Sequence, residues 1–152
     1  MDKRELLKKI RNLFKSQMFG VIATDMQGIP YTSLVAYCST DDLKYLIFAT
    51  SKKTRKFQNL MNNSNISILI DNRENNPSDF SKAITVTALG TAEEIQKNED
   101  NFKNLFIKKH PDLSDFINSS DCTLFRIKVD KYQFVSNFQS VEYIDTNNFF
   151  YK

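Results

Sequence analysis

The 152-residue chain has no tryptophan, one histidine, two cysteines, three glycines and three prolines. Each scarcity removes a class of chemistry. Gly20, Gly28 and Gly90 are too few and too scattered for a Walker loop or a dinucleotide-binding turn, which need several glycines in one short segment. His110, with Cys38 and Cys122 far apart in sequence, cannot fill a zinc site. A hydrolytic triad has the same single histidine to draw on. His110 precedes Pro111 between two helical stretches and reads as a surface histidine at a helix end. The two cysteines are expected as buried or half-buried thiols of a reduced compartment. Met1-Asp2-Lys3-Arg4-Glu5 is followed by no long apolar run, so neither a signal peptide nor a membrane span is expected, and a cytoplasmic location is.

Charge is nearly balanced, 21 basic residues against 18 acidic for a net of +3, which is too even to point to nucleic acid. Hydrophobic residues are 41% and charged residues 26%, ordinary values for a soluble globular protein. The length suits one domain, residues 1–152, able to bury a core without staples.

Periodicity supplies the elements. Residues 2–17 read as a helix, with Asp2 and Glu5 in a capping-box pattern and Leu6, Ile10, Leu13 and Phe14 on one side. Strands are expected at residues 19–24, 31–39 and 44–50, joined by turns at Gly28 and at Asp41-Asp42, an antiparallel meander. Thr54 is a good N-cap for a short helix to Met61. A strand at 66–71, a loop at 72–82 and a long strand at 83–93 follow, with a bulge or bend expected at Gly90. Helices are expected at 97–109 and from Pro111 to Ile117. Strands at 122–129 and 132–135 precede a loop at 137–140, and residues 145–152 read as a tail. The sum is a mainly β fold, an antiparallel barrel with peripheral helices.

One segment stands out chemically. Ser51-Lys52-Lys53-Thr54-Arg55-Lys56 lies where a strand ends and a helix begins. Helix N-termini favour anions through unpaired N–H groups and the dipole. Thr50, Ser51 and Thr54 add hydroxyls, and Arg55 can hold a phosphate with two parallel hydrogen bonds. A solvated basic turn is the bland alternative. The adjacent carboxylates Asp41, Asp42, Glu93 and Glu94 read as solubilising, and no metal site and no catalytic side chain is assigned.

Gly28-Ile29-Pro30-Tyr31-Thr32-Ser33-Leu34-Val35, Tyr45 to Thr50, Thr54-Arg55-Lys56, Asn59-Leu60 and Ile66 to Ile70 resemble, in order and spacing, the pyridoxamine 5′-phosphate oxidase-like family of FMN-binding split barrels. Residues 110–138 resemble its haem-utilisation branch. The resemblance implies a six-stranded split β-barrel and a homodimer with FMN at its interface. It implies that Thr50, Ser51, Thr54, Arg55 and Lys56 hold the FMN phosphate. Ser33, Leu34 and Val35 would lie along the flavin ring, with Thr85 near it, and Asn137 and Phe138 would approach from the partner subunit. Oxidases of the family carry Arg at the position of Ser33, Lys at that of Cys38, and a C-terminal Arg and His without counterpart here, which argues against oxidation of pyridoxamine phosphate. Haem-utilisation relatives bind iron through a histidine in a further C-terminal segment, and His110 does not match it. The expectation is an FMN-dependent oxidoreductase. Alternatives are a haem-binding or haem-degrading protein, a flavin-binding module without turnover, and, least supported, a nucleic-acid binder.

Overall fold

The chain begins as the capping pattern predicts: Asp2 accepts a hydrogen bond from the Glu5 N–H at 2.8 Å and starts α1 (Lys3–Ser16). The computed structural model describes residues 1–148. Leu6, Ile10, Leu13 and Phe14 bury the inner side of α1. Each such burial is worth about 1.5–3 kcal/mol, so packing outweighs the cap's ~1 kcal/mol in holding this helix.

Next come β1 (Phe19–Met26), β2 (Ile29–Ser39) and β3 (Tyr45–Ser51), then α2 (Arg55–Asn62), β4 (Asn65–Asp71) and α3 (Asp79–Lys82). β5 (Thr85–Glu94), α4 (Asp100–Lys109), a short 3-10 turn at Pro111–Leu113, α5 (Ser114–Asn118), β6 (Cys122–Ser136) and β7 (Ser140–Asp145) complete the order, ending in a 3-10 turn at Thr146–Asn148. Among the described residues the sheet runs β3-β2-β1-β4-β5-β6-β7, and β3 also pairs with β6. That extra pairing closes β1 to β6 into a six-stranded antiparallel barrel, with β7 as an additional strand on β6.

Inside the barrel sit Ile22, Tyr37, Phe48, Ile68, Val86, Phe125 and their neighbours. Alternation then sends Cys38, Ile47 and Leu124 outward, where α4 and α5 cover them with Phe106 and Ile117. The barrel is thus apolar on both faces along β2, β3 and β6.

Several expectations change. β6 is one strand, not two. Across from Leu89 and Gly90 the register skips Asp130, so Asp130 and Lys131 are both exposed and the in-out alternation shifts by one. Ser140–Asp145 is a strand rather than a loop end and the start of a tail; it pairs with Lys131–Ser136. Asp145 closes that strand, Thr146–Asn148 turns, and the rest of the expected tail lies outside the described residues. Asp79–Lys82 is a helical turn inside the expected loop. His110 is not a surface residue: it is 4% exposed, with Nε2 2.7 Å from the Tyr37 carbonyl oxygen. Glu93 and Glu94 do more than solubilise. Glu93 pairs with Arg126 at 2.7 Å, and Glu94 accepts from the Thr123 hydroxyl at 2.9 Å.

Lys109 fastens α4 to the end of α1. Its ammonium donates to the carbonyl oxygens of Phe14 and Gln17, both at 2.8 Å, and stands 4.0 Å from the Tyr37 ring centre. Burial lowers its pKa from 10.5 to about 8, against an opposing effect of Cys38. The folded chain therefore releases this proton before the unfolded chain does. Between about pH 8 and 10.5 the unfolded state holds the extra proton, so this group makes stability rise with pH. The stability of the native chain minus that of Lys109→Met should increase across this window in urea titrations; a flat difference would contradict the assignment.

Gly90 is required by contact: a Cβ there would lie 2.1 Å from the Lys128 carbonyl oxygen. That neighbour is backbone in a paired strand and cannot yield cheaply. Gly90→Ala should cost at least the upper part of the usual overpacking range, about 3 kcal/mol, read as a lower urea midpoint.

Candidate functional site

The basic turn is placed by strand pairing. β3 runs beside β6 from Tyr45↔Lys128 to Ser51↔Cys122, and the Lys52 N–H then donates to the Asp121 carbonyl at 2.8 Å. The chain leaves the sheet at that point and enters α2. Thr54 is the N-cap, accepting from the Phe57 N–H at 3.3 Å. Asn59, 1% exposed, donates to the Thr24 hydroxyl at 3.0 Å and ties α2 to β1.

The hydroxyls divide into scaffold and donor. Thr54 Oγ1 donates to the Ser51 carbonyl at 2.9 Å and lies 2.9 Å from Thr50 Oγ1. Thr50 is 2% exposed, and its one proton goes to Thr54 or to the Ser51 carbonyl, 3.1 Å away. Both threonines therefore spend their protons inside the turn. Ser51 differs: its Oγ accepts from the Lys53 N–H at 3.2 Å, which leaves its own proton for another acceptor. The N–H groups of Arg55 and Lys56 have no acceptor within α2, as at any helix start.

A cavity of about 260 Å³ opens beside this turn. Leu34, Val35, Thr50, Ser51, Thr54 and Lys56 line it, so six of the eleven residues expected at a site meet there. Half-buried Lys56 has its pKa lowered by loss of solvent, as for an amine short of a counter-charge. Arg55 is exposed, does not line the cavity, and stands 4.9 Å from the centre of the Tyr31 ring. Lys53 pairs with Asp121 at 3.2 Å, a solvent-exposed contact of little energetic weight.

The opposite wall comes from α4 and α5: Phe106, Leu113 and Phe116. None was expected at a site. Their apolar helical spacing signals core, and the docking of α4 by Lys109 and His110 is not legible locally. Cys38 is buried under α4, its thiol pushed up to about 12 mainly by that burial. Among the described residues, Ser33 Oγ is the buried side-chain polar atom left without a hydrogen-bond partner.

The remaining expected residues lie apart. Thr85 and Phe138 line a second cavity of about 310 Å³ with Leu69, Asp71, Arg73 and Phe80. Asn137 and Phe138 form the turn between β6 and β7, both with positive φ, 48° and 63°. Within one chain the structure does not bring them to the basic turn. A third cavity, about 220 Å³, shares Leu34 with the first and Leu69, Asp71 and Arg73 with the second. The shared residues make the three cavities neighbours. The third cavity is open, with Met18, Phe19 and Leu34 in its lining 57%, 53% and 65% exposed beside the polar Gln17, Asp71, Arg73 and Asn75.

A family model described as pyridoxamine 5′-phosphate oxidase matches residues 6–136. The chain belongs to that family. Solved structures share its fold. A haem-binding protein from Mycobacterium smegmatis superposes with a TM-score of 0.82 at 19% identity, over 94% of this chain and 59% of that one. This chain thus spans about three fifths of that relative. A protein related to general stress protein 26, from Clostridium acetobutylicum, superposes with a TM-score of 0.78 at 16% identity, covering 99% of this chain and 100% of that one. A FAD-binding protein from Mesorhizobium loti gives 0.68 at 16% identity, over 88% and 94%. No curated protein matches the chain. Among the described residues no helix is long and apolar enough to cross a membrane.

Proposed function

We propose that the protein binds FMN, phosphate at the basic turn and ring along Leu34 and Val35, and acts as a flavin-dependent oxidoreductase in a homodimer. The observation that carries this reading is the cavity in which the Ser51 hydroxyl, the start of α2 and the desolvated Lys56 amine meet an apolar strand face. That donor set fits a phosphate dianion. Lys56 gains the counter-charge it lacks, Ser51 donates its uncommitted proton, and the N–H groups of Arg55 and Lys56 complete the cradle. Exposed Arg55 adds a second cation beside them.

Bound FMN supplies hydride or electron transfer at its ring N5. The chain's own part is to bind and orient. Thr50 and Thr54 hold the turn's shape, Leu34 offers an apolar side chain beside the β2 backbone, and Phe106, Leu113 and Phe116 keep water from one flank. The homodimer reading rests on the open third cavity. Met18, Phe19 and Leu34 form an exposed apolar strip whose cover by a second copy would also enclose the ring and bring the partner's Phe138 turn close.

A haem reading has the likeness to the Mycobacterium smegmatis protein behind it. It needs an axial ligand other than His110, whose Nε2 is engaged on the Tyr37 carbonyl.

The purified protein should be yellow and release FMN on denaturation, as identified by mass, and should sediment as a dimer. Bleaching by a reduced nicotinamide cofactor and recovery in air would distinguish an enzyme from a flavin store; a Soret band would favour haem. Arg55→Ala with Lys56→Ala should weaken FMN binding by about 3 kcal/mol or more, at least two orders of magnitude in Kd, because charge-assisted contacts are worth roughly 1.5–3 kcal/mol each. Unchanged affinity would refute the phosphate assignment.

A further inference from the structure

α4 is fastened at its two ends by different means. At its start, Glu99 pairs with Arg126 of β6 at 2.6 Å. At its end, Lys109 reaches the carbonyl oxygens of Phe14 and Gln17 at the close of α1, and the buried His110 ring meets the Tyr37 carbonyl. Between these ends Phe106, 0% exposed, packs with Cys38 of β2 and also walls the cavity beside the basic turn. The docking of the Lys109 end therefore decides whether that wall is in place.

This end is held by a half-buried amine without a counter-charge. Among the described residues no carboxylate pairs with Lys109. From β2 it meets the Tyr37 ring, 4.0 Å to the centre, and the Cys38 thiol. His110 follows it on its own helix. α1 presents carbonyl oxygens, and the cation of its last turn, Lys15, is exposed. Two carbonyl acceptors match the two N–H groups of a neutral amine, and the third proton of an ammonium has no oxygen to meet. Burial of that kind disfavours the charged form. Hence the docked amine's pKa of about 8, against 10.5 in water. By linkage the undocked end binds the proton more tightly, so protonation favours undocking and deprotonation favours docking.

We propose that α4 is a pH-sensitive lid on the cavity beside the basic turn: its Lys109 end undocks when the amine takes up a proton and docks when the amine is neutral. Undocking withdraws Phe106 and bares Cys38. The lid stands on the docking geometry. That it governs release of a flavin rests on the FMN reading.

Cys38, 3% exposed beneath α4, reports the lid. In a Cys122→Ser background it is the chain's sole thiol. Its alkylation by iodoacetamide is measured at about pH 7.5 and 9.5, with and without Lys109→Met, and the ratio of the two rates cancels the thiol's own ionisation. The Lys109 rate divided by the Met rate should fall at least about tenfold between these pH values. It should also be insensitive to urea below the unfolding transition, as for local opening. A constant or rising ratio, or a rate that climbs with urea in step with global unfolding, would overturn the lid. Should Lys109→Met fail to fold, amide exchange of Phe106 and Ile107 in the native chain, corrected for intrinsic base catalysis, decides the matter. Protection should rise at least about tenfold over the same interval, and constant protection would overturn the proposal. With FMN loaded, its release from the native chain relative to Lys109→Met should slow as pH rises; Lys56 titrates alike in both and cancels. A release ratio that ignores pH beside a falling labelling ratio would overturn the flavin gating and uphold the lid. Absence of FMN binding would refute the flavin reading and leave the labelling result standing.

Discussion

The pairing of β3 with β6 is the constraint on which the rest depends. Seven residue pairs, from Tyr45↔Lys128 to Ser51↔Cys122, join strands far apart in sequence and turn an open sheet into a barrel. Without this ladder the core residues Phe48 and Phe125, stacked with ring centres 5.5 Å apart, would face no common interior. The same ladder decides where β3 stops. Ser51 is its last residue, Lys52 bonds to Asp121 just beyond it, and the chain must then turn into α2. The position of the basic turn is thus a by-product of barrel closure.

Closure also accounts for the division of labour among the turn's side chains. Buried Thr50 and the capping Thr54 satisfy each other and the Ser51 carbonyl, so the turn is rigid before any ligand arrives. Ser51, Arg55 and Lys56 are the groups the proposed FMN phosphate would use. A preorganised cradle of this sort loses little on binding, which is the usual origin of tight phosphate recognition. On the other side of the cavity, Lys109 and His110 lock α4 to α1 and β2 through backbone carbonyls, and Phe106 is held as a wall.

Local features of the fold were legible because they are encoded locally. Thr54 with the apolar Phe57 and Leu60 signals a capped helix, Phe125, Ile127 and Val129 alternate cleanly, and Gly90 marks the bulge. What was not legible depends on neighbours distant in sequence. Asp130 and Lys131 look like the end of a strand because the bulge opposite Gly90 exposes two successive charges. β7 lies at the sheet's edge with Ile144 as its sole fully buried residue, so it has too little alternation to be recognised. His110 looks like a surface residue until α4 is laid on β2. For the site, Thr50 to Lys56 could be read from charge and spacing. Phe106 and Phe116 could not, because apolar helical spacing has an ordinary explanation in sequence.

The central claim is that the basic turn recognises the phosphate of a flavin. Riboflavin shares FMN's ring and ribityl chain and lacks only the phosphate, so the two affinities compared on one protein isolate that contact. FMN should bind at least about a hundredfold more tightly than riboflavin, as expected for two or more charge-assisted hydrogen bonds. Arg55→Ala with Lys56→Ala should bring the two affinities together. Equal affinity of the native protein for FMN and riboflavin would contradict that claim.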